Sequence, residues 1–298
     1  MPIYQVDAFT DKPYNGNPTA VVLDADDLTQ KQKQNFAREI NLSVSTFVSK
    51  SDKANFKVEF YSPRMEMNIS GHGTIATFWV LAKLGLIKPE TDITRFTQES
   101  KEGIHEIEIF WKEEQLEKVM MVQKKPIFTK TNVSKKELAD ILGIRSDKII
   151  SKEKLPVTIA STGNPKLLIP IANKEMTDAL VPKFDALERL CRRLKITGVH
   201  LYTFDTYLEG TNCYTRHFAP LVGVPENPVS GMANAALGAF LVKQEFFPAG
   251  RLIIEQGESL LRPGKVEVEI ETKNKKITTL KIGGKSKIIF KLTLEEEM

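Results

Sequence analysis

The sequence predicts an α+β protein built as two pseudo-symmetric lobes, and three observations lead there. The chain of 298 residues exceeds the usual single-domain size and suits two domains of about 150 residues each. Strand-like alternation dominates, with helical patterns arriving after glycine or proline punctuation. The punctuation also repeats: Gly16-Asn17-Pro18 matches Gly163-Asn164-Pro165, and each triplet is followed by a glycine turn that feeds an apolar helix.

In the first half, Tyr4 to Phe9 and Thr19 to Leu23 read as strands joined by a turn-rich segment, and a helix follows from Asp27 to about Ile40. Thr46 to Ser49 and Phe56 to Ser62 alternate as strands. Gly71-His72-Gly73 then opens a helix from Thr74 to Leu84 that is apolar nearly all the way round, the mark of a buried element. The second half repeats this order. Strands are expected at Val157 to Ser161, Lys166 to Ile171, Gly198 to Phe204 and Asn212 to Phe218, with a helix at Asp185 to Leu194 between the second and third. An apolar helix, Ala233 to Lys243, follows Pro225 to Gly231, and the remainder returns to strands. The polar interval of Lys112 to Lys118 and Lys124-Lys125-Pro126 places the lobe boundary near residues 115 to 130. The expected lobes are 1–120, joined by a strand from about 280–298, and 121–279, with the active-site cleft between them.

Composition bounds the function. With 41% hydrophobic and 27% charged residues, the chain has material for folded cores. Its net charge of +4 comes from interspersed signs, and the lysine runs near the end lack the aromatics of a nucleic-acid surface, so no nucleic-acid partner is expected. Cys191 and Cys213 form no CxxC pair and no cluster with metal-ligand spacing, so no metal is expected. Cys191 shares a helical face with Leu187, Leu190 and Leu194 and reads as a core thiol. The absence of a secretory-type start and of a long apolar span argues against a membrane and for the cytoplasm.

The chemistry sits at the glycine turns. A helix start exposes amides that have no intrahelical partner, and the helix dipole adds positive potential there. Two such ends suit a small acid. Gly71, Gly73 and Thr74 at the first, and Ser230, Gly231 and Met232 at the second, are therefore candidate substrate-binding residues, with Asn17 beside them. His72 lies inside the first turn, where its neutral form is favoured and suits a proton shuttle. His105, His200 and His217 lie in or beside strand-like stretches and read as structural. Arg216 and Arg262 could pair with a substrate carboxylate or form ion pairs within the protein.

Gly16-Asn17-Pro18-Thr19-Ala20-Val21-Val22, the Asn41-Leu42-Ser43 to Phe47-Val48 segment, Gly71 to Ala76, Ser161 to Pro165, Pro225 to Gly231, Gln256-Gly257 and Arg262-Pro263 occur in order. Together they resemble the PhzF family of phenazine-biosynthesis-like isomerases. The resemblance implies the diaminopimelate epimerase-like fold, in which each lobe is a mixed β-sheet or barrel wrapped round a central helix. It also implies a homodimer, and isomerisation by proton transfer on a small-molecule acid with no cofactor. The family's best-known member moves a proton between ring carbons of dihydro-3-hydroxyanthranilate. The glutamate that serves the family as acid and base is here Val44, followed by Ser45. The family's Glu-Asp-Pro is Glu226-Asn227-Pro228, Met232 replaces a serine, and Asn68 replaces an aspartate before Gly-His. The paired catalytic cysteines of the epimerases are missing, with Ser70 near the first position. His72, Asn227, Ser45 and Glu226 are the candidate catalytic residues. Three readings follow: an isomerase in which His72, Glu226 or Glu39 relays the proton, a different activity using Ser45 or His72, or a small-anion binder that has lost the reaction.

Overall fold

Strand β1 (Ile3–Ala8) pairs antiparallel with β2 (Asn17–Val22). The turn between them passes through Phe9, Tyr14 and Gly16 at positive φ, and Asp7 accepts the Tyr14 amide at 2.8 Å to fasten it. Helix α1 (Gln30–Ile40) starts where Thr29 and Gln32 form a reciprocal capping box and stops at Asn41, which is left-handed. Strand β3 (Val44–Ser49) runs parallel to β2, and β4 (Phe56–Tyr61) lies antiparallel to β3. After the short β5 (Glu66–Met67) comes α2 (Gly71–Lys83), in which every residue from Gly71 to Ala82 is buried, as its all-round apolar pattern requires. Then follow β6 (Ile93–Ser100), parallel to β4, and the hairpin of β7 (Gly103–Lys112) with β8 (Gln115–Val122).

The second half supplies β9 (Ile127–Lys130), α3 (Lys135–Leu142), β10 (Thr158–Ser161), β11 (Lys166–Pro170), α4 (Lys174–Asp178), α5 (Phe184–Leu194), β12 (Gly198–Thr203) and β13 (Cys213–Ala219). It continues with β14 (Val224–Asn227), α6 (Gly231–Lys243), β15 (Gly250–Gln256), β16 (Gly264–Lys273), β17 (Lys276–Gly284) and β18 (Ser286–Leu292). The computed structural model describes residues 1–294. The chain divides into two compact units, Met1–Val122 with the chain from Ile282 onward, and Gln123–Lys281.

Each unit repeats one strand plan. In the first, β1 lies between β18 and β2, β2 runs parallel to β3, β3 and β4 are antiparallel, and β4 takes β5 antiparallel and β6 parallel. In the second, β10 lies between β9 and β11, β11 runs parallel to β12, β12 and β13 are antiparallel, and β13 takes β14 antiparallel and β15 parallel. The repeated punctuation is thus matched by repeated pairing. In the first unit α2 packs on β1, β2, β3, β8 and β18, and α1 covers the other side of β2 and β3 through Phe36, Ala37, Phe47 and Tyr61. In the second, α3 and α5 bury Leu138, Leu142, Leu187 and Leu190 against Leu167, Ile169 and Leu201, and α6 contacts β10 and β16.

Two sequence readings change. The polar interval Lys112 to Lys118 is a hairpin inside the first unit, with Glu113 and Glu114 both left-handed at its tip. It is polar because a hairpin tip faces water, and it is no linker. Helix α3 was not anticipated, although Ser134 and Glu137 mark its start: the Ser134 hydroxyl accepts the Glu137 amide.

Candidate functional site

The two buried central helices begin with the same backbone device. Ser70 is the N-cap of α2, its hydroxyl accepting the Gly73 amide, and the Thr74 amide closes on the Ser70 carbonyl. Ser230 is the N-cap of α6, its hydroxyl accepting the Ala233 amide, and the Asn234 amide closes on the Ser230 carbonyl. The first two helical amides, of Gly71 and His72 in one case and Gly231 and Met232 in the other, have no intrahelical acceptor and carry the positive end of the dipole.

His72 is 5% exposed and bracketed by hydroxyls. Its Nδ1 lies 3.2 Å from Ser70 Oγ and its Nε2 3.4 Å from Ser43 Oγ, which in turn donates to Asn17 Oδ1 at 3.2 Å. One polarity satisfies the whole chain. The Gly73 amide donates to Ser70, Ser70 donates to His72 Nδ1, His72 donates from Nε2 to Ser43, and Ser43 donates to Asn17. Burial pulls the proton affinity of His72 down to a pKa of about 4, so the ring is neutral near pH 7. Val44 opens β3 at 2% exposure. It shares a strand face with Thr46, and Thr46 in turn hydrogen-bonds Thr77 of α2.

Several candidate residues are placed differently from the sequence reading. Ser45 is on the opposite face of β3 from Val44, directly across from Tyr61 and beside the α1 core, so it does not stand with His72. Thr74 is fully buried, with its hydroxyl accepting from Gln98 at 2.8 Å. Gly73 is required by packing: a Cβ there would lie 2.7 Å from Thr46 Cγ2 and 3.1 Å from the Phe60 ring. Glu226 is held by Arg216 through two hydrogen bonds of 2.7 and 2.8 Å, and Ser259 donates to it as well. Arg216 also donates to the carbonyls of Thr177, Asp178 and Leu180. It is therefore an internal clamp, and Glu226 is part of that clamp instead of a free proton carrier. Glu39 is exposed on α1.

Gln256, whose role the motif alone does not reveal, is a hub. Its Oε1 accepts from the Ser230 amide and from Asn234 Nδ2, both at 3.0 Å, while its Nε2 donates to the Asn227 carbonyl at 2.8 Å. The Ser230 hydroxyl and amide are thus both engaged within the protein. Asn227 is half-buried at the end of β14, and Met232 is buried in the first turn of α6. Beneath that turn His200 Nε2 meets Asn234 Oδ1 at 3.0 Å, and the His200 and His217 rings lie 5.4 Å apart edge to face. Burial lowers the pKa of His200 to about 3 and that of His217 well below its ordinary value. Both rings are buried inside the second unit. Ser43 is a second residue without an assigned role, legible only as the last residue of the Asn-Leu-Ser motif. Cys191 is a buried thiol with its pKa raised to about 11 by burial. Among the described residues no group of acidic, histidine and cysteine side chains could hold a metal, and no helix is long and apolar enough to cross a membrane.

The family model for phenazine biosynthesis-like proteins matches residues 6–291. The chain belongs to this family. Similar proteins include an uncharacterized isomerase of Clostridium acetobutylicum, 31% identical over 98% of this chain and 97% of that one. Another is the uncharacterized isomerase YfhB of Bacillus subtilis, 32% identical over 90% of each chain. Among solved structures, a PhzF-family phenazine biosynthesis protein of Bacillus anthracis superposes with a TM-score of 0.88 at 29% identity, covering 99% of both chains. A hydroxyproline epimerase from Agrobacterium vitis shares the fold at 11% identity, with a TM-score of 0.67 over 98% of this chain and 90% of that one.

Proposed function

We propose that the chain is an isomerase that moves a proton on a small carboxylate-bearing metabolite without a cofactor, with His72 as the proton-handling group. The observation that carries this reading is the hydrogen-bonded run from Ser70 through His72 and Ser43 to Asn17, set at the positive end of α2. The free amides of Gly71 and His72 suit one oxygen pair of a carboxylate, and those of Gly231 and Met232 form a second cradle of the same kind. Because the buried ring holds a proton weakly, an imidazolium formed in passing is a strong acid that returns its proton at once. Asn227 supplies hydrogen bonds without titrating. In this reading the protein acts as a homodimer in the cytoplasm, an assembly that light scattering checks.

A second reading, a small-anion binder without turnover, is favoured by Val44, which puts a buried aliphatic side chain where the family's carboxylate stands. Solvent deuterium exchange separates the two. For the isomerase, bound acids from a metabolite panel take up deuterium, and the uptake disappears in His72→Ala. For the binder, the same acids raise the unfolding temperature while no variant, wild type included, exchanges. Val44→Glu sharpens the comparison, since a restored carboxylate accelerates exchange if the neighbouring proton path is intact.

A further inference from the structure

Between β15 and β16 the chain makes a single turn of 3₁₀ helix, Glu258–Leu260. Gly257 opens it at φ 105°, where a Cβ would lie 2.2 Å from the Arg262 carbonyl oxygen and 3.0 Å from that of Pro228. Leu261 closes it at φ 55°, a left-handed conformation that leucine rarely adopts, and is 86% exposed. The turn thus packs on Pro228, three residues before α6, and the Ser259 hydroxyl adds a hydrogen bond to Glu226 at 3.0 Å.

The groups that meet this turn are acidic. Glu255 of β15 is fully buried and accepts the amides of Tyr207 and Leu208, both at 2.8 Å. Asp178 of α4 accepts the hydroxyls of Tyr207 and Tyr214. The loop of residues 204–212 is therefore held by two carboxylates whose charges are met by donors. Glu258 lies within electrostatic reach of both, yet its Oε2 is enclosed and has no hydrogen-bond partner. The neighbouring cations are committed elsewhere, Lys174 to Asp205 at 3.3 Å and Arg216 to Glu226 at 2.7 Å. Three carboxylates gathered without a cation of their own cannot all ionise without strong repulsion, and the one that lacks donors keeps its proton. Burial, joined by the charges of Glu255 and Asp178, raises the Glu258 pKa from 4.5 to about 7. The Tyr207 phenol, through its hydrogen bond to Asp178, and the Tyr214 phenol and Cys213 thiol, through burial, are pushed upward and stay neutral there.

We propose that residues 257–262 form a proton-operated latch on the loop of residues 204–212, closed while Glu258 is neutral and opened when Glu258 ionises against Asp178 and Glu255. Glu258 binds its proton more tightly in the closed state than in the open one. Closure is therefore firmest below pH 4.5, and the contribution is lost as pH rises through about 7. This sign is opposite to that of the buried His200 and His217. An open latch also slackens the contacts with Pro228 and Glu226, so pH reaches the start of α6. The latch works whether or not the chain turns over a substrate.

Amide hydrogen exchange of the full chain from about pH 5.5 to about pH 8.5, corrected for the intrinsic pH dependence of exchange, tests this. In the wild type, protection of the Tyr207 and Leu208 amides falls about tenfold or more over that range, the size set by a carboxyl whose pKa drops from about 7 to 4.5 on opening. Amides of β6 in the first unit keep their protection. Glu258→Gln, which mimics the protonated acid, holds the loop protection flat, at or above the wild-type level at the acid end. Should this variant fail to fold, carbon-13 spectra of the wild type follow the Glu258 carboxyl directly, and it titrates well above the ordinary carboxylate range. Protection independent of pH in the wild type, an unchanged pH dependence in Glu258→Gln, or a Glu258 carboxyl that titrates normally each overturns the latch.

Discussion

At the start of α2 a serine caps the third amide, glycine holds the first helical position and histidine the second; at the start of α6 serine and glycine recur and methionine replaces the histidine. The strand registers extend the correspondence. Thr46 faces Phe60 across β3 and β4, and His200 faces His217 across β12 and β13. Under α2 the support is therefore a threonine and a phenyl ring, with the titratable ring up in the helix turn. Under α6 two histidines occupy the supporting strands, and the turn itself carries the apolar Met232. One backbone plan thus gives two different placements of imidazole, and only that of His72 borders amides with no internal acceptor.

Breaking this difference at the turn has the largest expected effect. His72→Ala lowers solvent exchange into bound acids about 100- to 10,000-fold, the usual contribution of a positioned acid or base, whereas Met232→Ala changes it by at most a few fold; exchange rates followed by mass spectrometry decide. Next comes acidity. A buried histidine whose native pKa lies below 6.5 binds its proton more readily when unfolded, so stability is full above pH 6.5 and falls as pH drops toward about 4 for His72 and about 3 for His200. The loss amounts to a few kcal/mol over that window. His217→Phe, which copies Phe60 into the second unit, makes the fall shallower, as denaturant unfolding at stepped pH values reads directly.

Packing separates the two starts less. Gly73→Ala costs about 1–3 kcal/mol through overpacking against Thr46 and Phe60, and Thr46→Ser recovers part of it by removing the methyl, whereas the equivalent residue of α6 is already Ala233. The smallest effect tests the sameness of the device: Ser70→Ala and Ser230→Ala each cost about 1 kcal/mol through the lost cap. A much larger loss at Ser70 would show that its hydrogen bond to His72 stabilises the fold as well as the site.

Periodicity and punctuation carry a great deal here. The all-round apolar run after Gly71-His72-Gly73 could only be a buried helix, and the repeated Gly-Asn-Pro triplets announced a repeated strand plan. Helix α3 escaped because its apolar face is short, with only Leu138, Ala139, Ile141 and Leu142 buried. The Glu113-Glu114 hairpin escaped for the related reason that a solvent-facing turn and an interdomain linker share a composition.

The sequence by itself determined the family, the position of both helix starts and the substitution of Val44 for a carboxylate, since these depend on residue identity and local order. Tertiary structure decided which candidates share a site. Ser45 and Val44 are neighbours in the chain, but the strand's alternation sends them to opposite faces. Glu226 and Arg216 are ten positions apart, yet the pairing of β13 with β14 locks them together and removes both from the pool of free charges. Such commitments depend on what lies across a strand or under a helix turn, and no one-dimensional pattern records that.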